Sequence, residues 1–400
     1  MLTRNTSYLE ILLNNDNDDI NLEKLYDILQ EYDNKIYVRN INNKKKLKAK
    51  SLAKTCLNKI AEFFCGICGC LKEEEDDIDD PHFVGLYNVG NTCYLNAALQ
   101  ILSRCYAFVI ELLKYNYEND ELLKLFSELM VTLLLKKVNH YNPTKFVQCF
   151  CRINKNFVFG RQNCSQDFIR TILKNINDRH EKTIYYQDYT PTLKDSIAYD
   201  SFIKENNIFP ESKAYSIFSG ILKIKIYGEC SKCYQQICNY SYNSFVDQII
   251  YLNSFSRRCS FSEVLKKNFG CENKAKTRCP KCNEKVNSKS ISKFVKIPEI
   301  FIFTLERYLE PNKVPIEPEE RINIYDFVDE SLKINKNQCY YELFAVNIRL
   351  GNDISFGHEI CHIKEKNVWY TINDSSYSIK EDEYYGNSYG LFYKRINREL

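Results

Sequence analysis

Hydrophobic residues between positions 92 and 180 repeat with the period of a helix. Three runs each place their apolar side chains on one helical face: Leu95, Ala98, Leu99 and Leu102; Leu122, Phe126, Leu129 and Leu133; Phe168, Ile172 and Ile176. Spacings of three and four residues are typical of amphipathic helices packed on a core. The pattern therefore predicts a largely helical lobe over residues 92–180.

From Ile217 onward, β-branched and aromatic residues alternate over short segments. The clearest are FSGILKIKIYG, FVKIPEIFIFTLERY, YELFAVNIRL, HEICHIK, VWYTI and YGLFYKRI. Alternation with period two is typical of strands. Because helices come first and strands follow, the sequence predicts the α+β fold class.

Residues 1–81 differ from the rest and form a separate N-terminal extension. It contains two short amphipathic segments, the basic run KKKLKAK (44–50), the cysteine cluster FFCGICGC (63–70) and the acidic run EEEDDIDD (73–80). An acidic run of this kind stays solvated, so we place a domain boundary there. We favour a solvated arm. The alternatives are a nuclear-import patch or membrane association through lysines and acylated Cys65, Cys68 and Cys70.

Composition and charge exclude two classes of protein, disordered chains and those that bind nucleic acid through a large net positive charge. The 400 residues are 44% hydrophobic and 27% charged, which excludes wholesale disorder, and the net charge of +3 excludes nucleic-acid binding by bulk charge. The N-terminus lacks a signal-peptide pattern, and no run approaches the ~20 apolar residues of a membrane span. We therefore expect the 18 cysteines to be reduced thiols in the cytoplasm or nucleus.

A glycine- and asparagine-rich loop leads into the first predicted helix in the segment GLYNVGNTCYLNAALQ (85–100). Asn91 or Thr92 is suited to cap that helix, so Cys93 falls in its first turn. There the helix dipole favours a thiolate, the reactive form of cysteine, and free backbone N–H groups can stabilise an oxyanion. A buried structural cysteine is the alternative.

A second polar segment lies near the other end of the chain, where GHEICHIK (357–364) is followed by VWYTINDS (368–375). A hairpin turning around residue 366 would set His358 opposite Asn373 and Asp374. Facing side chains on paired strands lie about 5 Å apart. The hairpin would thus bring together an imidazole and a side chain that orients it, as a general base requires.

Two C-x2-C pairs occur in the strand-rich half: Cys230 with Cys233, and Cys279 with Cys282. Each pair can form a turn whose thiolates converge, and two such turns complete a tetrahedral zinc site. Four thiolates leave no open coordination position, so the ion would be structural. No catalytic cofactor is expected. The alternative is thiols that merely pack.

The segment 85–100 resembles the cysteine box of the ubiquitin-specific proteases, which are papain-like deubiquitinating enzymes, and 357–375 resembles their histidine box. The resemblance implies that Cys93 is the nucleophile, His358 the general base and Asn373 its orienting residue. Asp374 would assist, and Asn88 would donate to the oxyanion. It also implies a zinc ion held by the four paired cysteines.

The resemblance covers residues 82–396 and implies a papain-like cysteine protease fold. Its helical thumb would span residues 82–215, its zinc-ribbon fingers 216–297 and its β-sheet palm 298–396. The implied function is thiol-dependent hydrolysis of the bond that follows the C-terminal glycine of ubiquitin. Ubiquitin and ubiquitinated proteins are then the expected partners.

Some positions depart from the family pattern. The segment RQNCSQDFI (161–169) places Cys164 where the family has an acid that helps bind the ubiquitin tail, and Asp167 keeps the second acid. Glu359 replaces the tyrosine that follows the catalytic histidine, and we hypothesise that it partly restores the lost negative charge. His362 has no family counterpart and is interpreted as structural.

Two alternatives remain for function within this family: a ubiquitin-binding scaffold without turnover, favoured by Cys164 and Glu359, and a protease for a ubiquitin-like modifier. A zinc-ribbon nucleic-acid module has little support, because no basic stripe with interleaved aromatic residues is evident in the predicted strands. No nucleic-acid partner is therefore expected.

Overall fold

The computed structural model describes residues 83–115, 117, 119–135, 138–180, 182–183, 191–192, 194–206, 211–252, 254–307, 314–351, 357–380 and 387–396. The predictions for the extension 1–81, including its basic, cysteine-rich and acidic runs, lie outside these residues.

Helices dominate the first half of the described chain. They are α1 (Cys93–Ser103), α2 (Tyr106–Leu113), α3 (Glu121–Leu135), α4 (Thr144–Ile153), α5 (Ser165–Arg179), α6 (Ser196–Asn206), α7 (Lys213–Ser216) and α8 (Phe261–Leu265). Three short turns follow: a π-helical turn at Lys266–Gly270 and 3-10 turns at Tyr325–Phe327 and Lys336–Cys339. The predicted apolar faces pack together around buried rings, among them Phe150 and Phe168 with ring centroids 4.9 Å apart. The helical prediction for 92–180 is confirmed, apart from one two-residue strand.

Strands dominate the second half, and only four two-residue strands precede the long ones in the part of the chain that the structure describes. The strands are β1 (Gly85–Leu86), β2 (His140–Tyr141), β3 (Lys182–Thr183), β4 (Glu211–Ser212), β5 (Gly220–Glu229), β6 (Gln236–Phe245), β7 (Gln248–Tyr251), β8 (Cys259–Ser260), β9 (Asn273–Arg278), β10 (Lys285–Lys296), β11 (Ile300–Glu306), β12 (Ile316–Glu317), β13 (Arg321–Asn323), β14 (Tyr340–Leu350), β15 (His358–Glu365), β16 (Val368–Asn373), β17 (Ser376–Ile379) and β18 (Ser388–Ile396). The predicted α+β class is confirmed.

Two of the sheets carry most of these strands. The larger has the order β17-β16-β15-β14-β18-β11-β7, with β13 pairing to β14. The smaller is antiparallel throughout, with the order β6-β5-β10-β9. Strand β11 of the large sheet is almost wholly buried, and its Phe301 and Phe303 rings stack at 4.1 Å. The apolar run IFIFTLE therefore forms a central strand, as a run buried on both faces does.

Within the described ranges, no single helix is long and apolar enough to cross a membrane. Only α1 and α2 taken together reach that length and composition, and they meet at an angle of 88°. Nearly all of their residues are buried in the protein.

Candidate active site

A tight loop places Cys93 at the first position of α1. Gly90 and Asn91 adopt positive φ values of 101° and 55°, which bend the chain into the helix. Thr92 occupies the N-cap position, but its side chain makes no capping bond to the helix. Instead, its backbone N–H donates to Asn88 Oδ1 at 3.0 Å. The loop is therefore tied to Asn88.

The Cys93 thiol is buried against the start of β15. The nearby backbone N–H groups of Glu359 and Tyr94 lower the pKa of this thiol. Burial nevertheless raises its pKa, and the neighbouring charges of Asp374 and Glu359 raise it further. We expected the helix start to favour a thiolate at Cys93, and burial opposes that effect. The N–H of Glu359 lies near the sulfur, one residue after His358.

His358 and Asn373 are in hydrogen-bonding contact. His358 Nε2 lies 2.7 Å from Asn373 Oδ1. A carbonyl oxygen only accepts hydrogen bonds, so Nε2 carries the proton and Nδ1 keeps its lone pair. The imidazole is thus held in the tautomer that a general base needs.

The predicted hairpin forms, but its register differs from the expectation. Lys366 and Asn367, both with positive φ, form the turn, so Glu365 pairs with Val368 and Cys361 with Ile372. Continuing this register sets Asn373 opposite residue 360 instead of His358. The same register sets Ser375 opposite His358, so the prediction that His358 faces residues 373 and 374 is wrong by two positions for Asn373 and by one for Asp374. Their side chains meet along the diagonal, which is within reach of long side chains.

Asp374 connects the sheet to the loop that precedes α1. It sits at positive φ in the two-residue turn between β16 and β17. Its carboxylate accepts from Asn96 Nδ2 at 2.8 Å and from Asn88 Nδ2 at 3.0 Å. Its backbone carbonyl accepts from the Leu86 N–H at 2.9 Å. Asp374 therefore fixes the position of the Asn88 side chain.

Asn96 also supports this arrangement, although we did not predict a role for it from the sequence. It is buried one turn after Cys93 on α1, and it donates to the carbonyls of Leu86 and Tyr87 as well as to Asp374. The sequence does contain an indication of this role: Asn96 lies three residues after Cys93, and residues three apart on a helix lie on the same face.

Gly85 allows the close approach of β1 to the turn at Asp374. A Cβ atom at Gly85 would lie 2.3 Å from the Ser375 carbonyl oxygen. No side chain fits there, so the first glycine of the cysteine segment is required by packing between the loop and the sheet.

The 161–169 segment lies beside the histidine strand. Gln162 forms two hydrogen bonds to the backbone of Gly357, the residue before His358, one of them from the Gly357 N–H at 3.1 Å. Cys164 Sγ lies 3.0 Å from Tyr389 Oη, and burial raises the pKa of this thiol to about 11. A neutral thiol therefore stands where the family has an acid.

Asp167, the remaining acid of the box, is half exposed and bonds to Arg170 at 2.6 Å. Arg170 in turn donates both Nε and Nη2 to the buried carboxylate of Asp247. The arginine is thus fixed by two acids, and Asp167 retains an exposed face for a cationic ligand.

Glu359 does not contribute negative charge to the surface. It is 3% exposed and forms a 3.0 Å ion pair with Arg349, and it also accepts from Asn347 at 3.0 Å. Burial raises its pKa. Our hypothesis that Glu359 partly restores the lost negative charge near the ubiquitin tail gains no support, because its carboxylate is buried and paired with Arg349.

His362 is also buried, and its Nδ1 lies 3.0 Å from Thr371 Oγ1 on the neighbouring strand. This cross-strand contact agrees with the structural interpretation of His362.

The two C-x2-C pairs meet at the end of the smaller sheet. The four sulfur atoms of Cys230, Cys233, Cys279 and Cys282 lie within 4.8 Å of one another. Cys230 Sγ is 3.6 Å from Cys282 Sγ, and Cys233 Sγ is 3.5 Å from Cys279 Sγ. A zinc ion with Zn–S bonds of about 2.3 Å sets its sulfur ligands roughly 3.8 Å apart. The donor set and spacing therefore fit a zinc ion.

Both pairs form the same type of turn. Tyr234 and Asn283, each one residue after its second cysteine, have φ values of 56° and 57°. Their N–H groups donate to the carbonyls of Cys230 and Cys279 at 2.8 and 2.9 Å. Although burial opposes it, hydrogen bonds from the backbone of Cys282 and Lys281 lower the pKa of Cys279 to about 6. The backbone thus favours thiolate at Cys279, whereas burial and the neighbouring thiols raise the pKa of Cys233 and Cys282 despite backbone hydrogen bonds that lower it.

Comparison with known proteins agrees with this geometry. A family model described as "Ubiquitin carboxyl-terminal hydrolase" matches residues 84–393. "Ubiquitin carboxyl-terminal hydrolase 4" of Arabidopsis thaliana is 24% identical over 338 residues, covering 76% of this chain and 87% of the relative. "Ubiquitin carboxyl-terminal hydrolase 3" of Homo sapiens is 23% identical over 419 residues, covering 93% and 76%.

The fold also matches a solved structure of a SAGA DUB module, in which a variant of Ubp8 is assembled with Sgf11, Sus1 and Sgf73 and bound to monoubiquitin. The TM-score is 0.62 at 19% identity, over 85% of this chain and 75% of the other. The predicted protease fold is thereby confirmed. Because the family model spans most of the chain, this protein belongs to the ubiquitin carboxyl-terminal hydrolase family of cysteine-type deubiquitinases.

Proposed function

We propose that this chain uses Cys93 to hydrolyse the amide or isopeptide bond that follows the C-terminal glycine of ubiquitin. One observation carries the proposal: the His358–Asn373 hydrogen bond of 2.7 Å lies at the start of β15, and the N–H of the next residue, Glu359, is near enough to the Cys93 sulfur to lower its pKa. The proposed nucleophile, base and orienting residue thus come from α1, β15 and β16.

The first step begins with a neutral thiol. His358 Nδ1 takes the Cys93 proton as the sulfur attacks the glycine carbonyl carbon, so thiolate character develops only with substrate in place. The imidazolium that results is stabilised by Asn373 Oδ1, which accepts from Nε2–H. Activation of a nucleophile by an adjacent base is the general solution when its own pKa is high.

The oxyanion that forms needs hydrogen-bond donors that are already in place. The Cys93 backbone N–H, at a helix start, is one donor, and the Asn88 side-chain amide is the second. An amide nitrogen carries two hydrogens, so Asn88 can bond to Asp374 with one and to the oxyanion with the other. Donors fixed before the reaction need no reorganisation during it.

His358 then protonates the leaving amine, and the tetrahedral intermediate collapses to a thioester on Cys93. Water attacks the thioester with His358 as base, which releases ubiquitin with a free carboxylate and restores the thiol. The partners that this chemistry requires are ubiquitin and the proteins to which it is attached.

A structural zinc ion is the second part of the proposal. Cys230, Cys233, Cys279 and Cys282 would hold it with all four positions filled, so it supplies stability to the end of the sheet and takes no part in bond cleavage.

A ubiquitin derivative with an electrophile in place of its C-terminal carboxylate tests the assignment of the nucleophile. We expect an adduct with the mass of ubiquitin on Cys93, located by peptide mass spectrometry. Adduct formation should be lost in Cys93→Ser and retained in Cys151→Ser, which alters a half-buried thiol on α4.

Ubiquitin binding without any adduct would contradict the proposal and favour the non-catalytic scaffold. An adduct with a ubiquitin-like modifier but none with ubiquitin would keep the chemistry and change the substrate.

A further inference from the structure

The smaller sheet β6-β5-β10-β9 has one strongly basic face. Residues that pair directly across antiparallel strands share a face, and the register pairs Lys285 with Arg278 and Lys289 with Lys274. The same register pairs Ile291 with Lys225 on β5. This face, which we call the basic face, carries Lys223, Lys225, Lys274, Lys276, Arg278, Lys285, Lys289 and Lys293.

The opposite face of the same strands has no comparable charge. On β9 and the outer half of β10 it presents Asn273, Ala275, Thr277, Val286, Ser288 and Ser290. We expected no basic stripe with interleaved aromatic residues in these strands. The sheet register brings lysines and aromatic residues together, so that expectation is corrected.

Much of the positive charge on the basic face is exposed and uncompensated. Lys274, Lys276 and Lys285 are exposed, and among the described residues none of the ion pairs includes them. Two acids lie on or beside this face: Glu229, and Glu272, which bonds to Lys289 at 2.7 Å and to the Tyr227 hydroxyl. Lys223, at the end of the face that is buried in the protein, forms an ion pair with Asp195 and adds no exposed charge. The outer part of the face therefore presents a net positive surface.

Aromatic rings lie between these cations. Tyr227 and Tyr240 occupy the basic face because they pair with Lys289 and Lys225, respectively. Lys225 Nζ lies 5.2 Å from the centroid of the half-buried Tyr227 ring. Lysines two residues apart on a strand are spaced by about 7 Å, and neighbouring strands by about 4.8 Å. On this face, cationic side chains therefore surround the two tyrosine rings.

We propose that the basic face binds a single-stranded nucleic acid. Lysine and arginine rows complement a phosphate backbone, and half-exposed aromatic rings provide stacking surfaces for bases. An acidic polypeptide would complement the charge, but a polynucleotide carries a flat base to stack on tyrosine at every unit beside each phosphate, so the combination favours a polynucleotide. The site is separate from Cys93 and does not depend on the proposed hydrolysis.

Fluorescence anisotropy of labelled 15-nucleotide dT and rU oligomers with the purified full chain tests the proposal at several salt concentrations. We expect binding that weakens with salt. The triple variant Lys274→Glu, Lys276→Glu and Lys285→Glu should lose about tenfold or more in affinity, and its log–log salt slope should be shallower by about 2. The control reverses the same number of exposed lysines elsewhere, at Lys124, Lys145 and Lys174, and should bind like wild type.

A second variant separates stacking from charge. Tyr227→Leu keeps every lysine, and we expect it to weaken binding by about fivefold or more. Ubiquitin-amide hydrolysis and zinc content are measured on each preparation, so a misfolded variant is recognised and loss of hydrolysis is distinguished from loss of this site.

Three outcomes would overturn the proposal. The first is no oligonucleotide binding by wild type at about 50 mM salt, where screening is weak because the Debye length exceeds the roughly 10 Å that holds at 0.1 M. The second is an equal loss in the control triple variant, which would mean diffuse charge. The third is equal competition by polyglutamate together with no effect of Tyr227→Leu, which would assign the face to an acidic polypeptide.

Discussion

Cys93 combines a buried sulfur with a raised pKa, so its reactivity depends on His358 and on substrate. The local sequence predicts the helix start, because glycine, asparagine and threonine precede the cysteine. It does not predict the pKa, since the burial comes from β15, which lies far away in the chain. Nor does the sequence predict the buried ion pair of Glu359, because its partner Arg349 lies on the neighbouring strand.

The pH dependence of Cys93 alkylation follows from this burial. Only the thiolate reacts, so a raised pKa leaves mostly thiol at pH 7, and the rate should rise about tenfold per pH unit until the pKa is passed. For the free protein treated with iodoacetamide, we expect an apparent pKa above the usual value of about 8.5 for cysteine. Peptide mass spectrometry at Cys93 measures it. Fast alkylation at pH 6 would show a preformed thiolate instead.

Asp374 and Asn88 should act as one unit, because the carboxylate holds the amide at 3.0 Å. We expect Asp374→Ala and Asn88→Ala each to lower kcat by about 10²–10³, with a much smaller change in KM. The double variant should be no slower than the slower single variant. Steady-state kinetics on a ubiquitin amide measures this. Ser378→Ala, an exposed position on β17, is the control. Losses that multiply would show that the two residues act independently.

At the scale of elements, turns decide which side chains meet. The sequence predicts the β15–β16 hairpin and its turn near residue 366. It does not predict the register, because a two-residue turn at Lys366 and Asn367 requires positive φ at both positions, and lysine is not a typical residue for it. A shift of that turn moves every facing pair. The basic face likewise emerges only when three strands are aligned, so no single strand predicts it.

The two cysteine turns form one element whose stability should depend on metal. We expect one zinc ion per chain by mass spectrometry of the metal content. Cys279→Ser should lose the zinc and lower Tm by about 5 °C or more, because metal binding adds to folding free energy. Cys238→Ser, an exposed cysteine on β6 outside the cluster, should retain both zinc and Tm. Full stability in metal-free Cys279→Ser protein would contradict a structural zinc.

At the scale of the whole molecule, the active site is built where the helical half meets the large sheet. Asn88 and Asp374 are 286 residues apart in the chain and are joined by a hydrogen bond. The order of helices and strands predicts the α+β class, and the two polar segments predict which residues meet. The sequence could not predict how closely β1 approaches the turn at Asp374, because that distance is set by packing around Gly85.

Hydrolysis of ubiquitin carrying a C-terminal fluorogenic amide tests the central claim most directly. We predict turnover by the purified chain and none above background in Cys93→Ala, which should still bind ubiquitin. Ubiquitin binding by the wild type without turnover, or turnover that survives in Cys93→Ala, would contradict the assignment of this chain as a deubiquitinase that acts through Cys93.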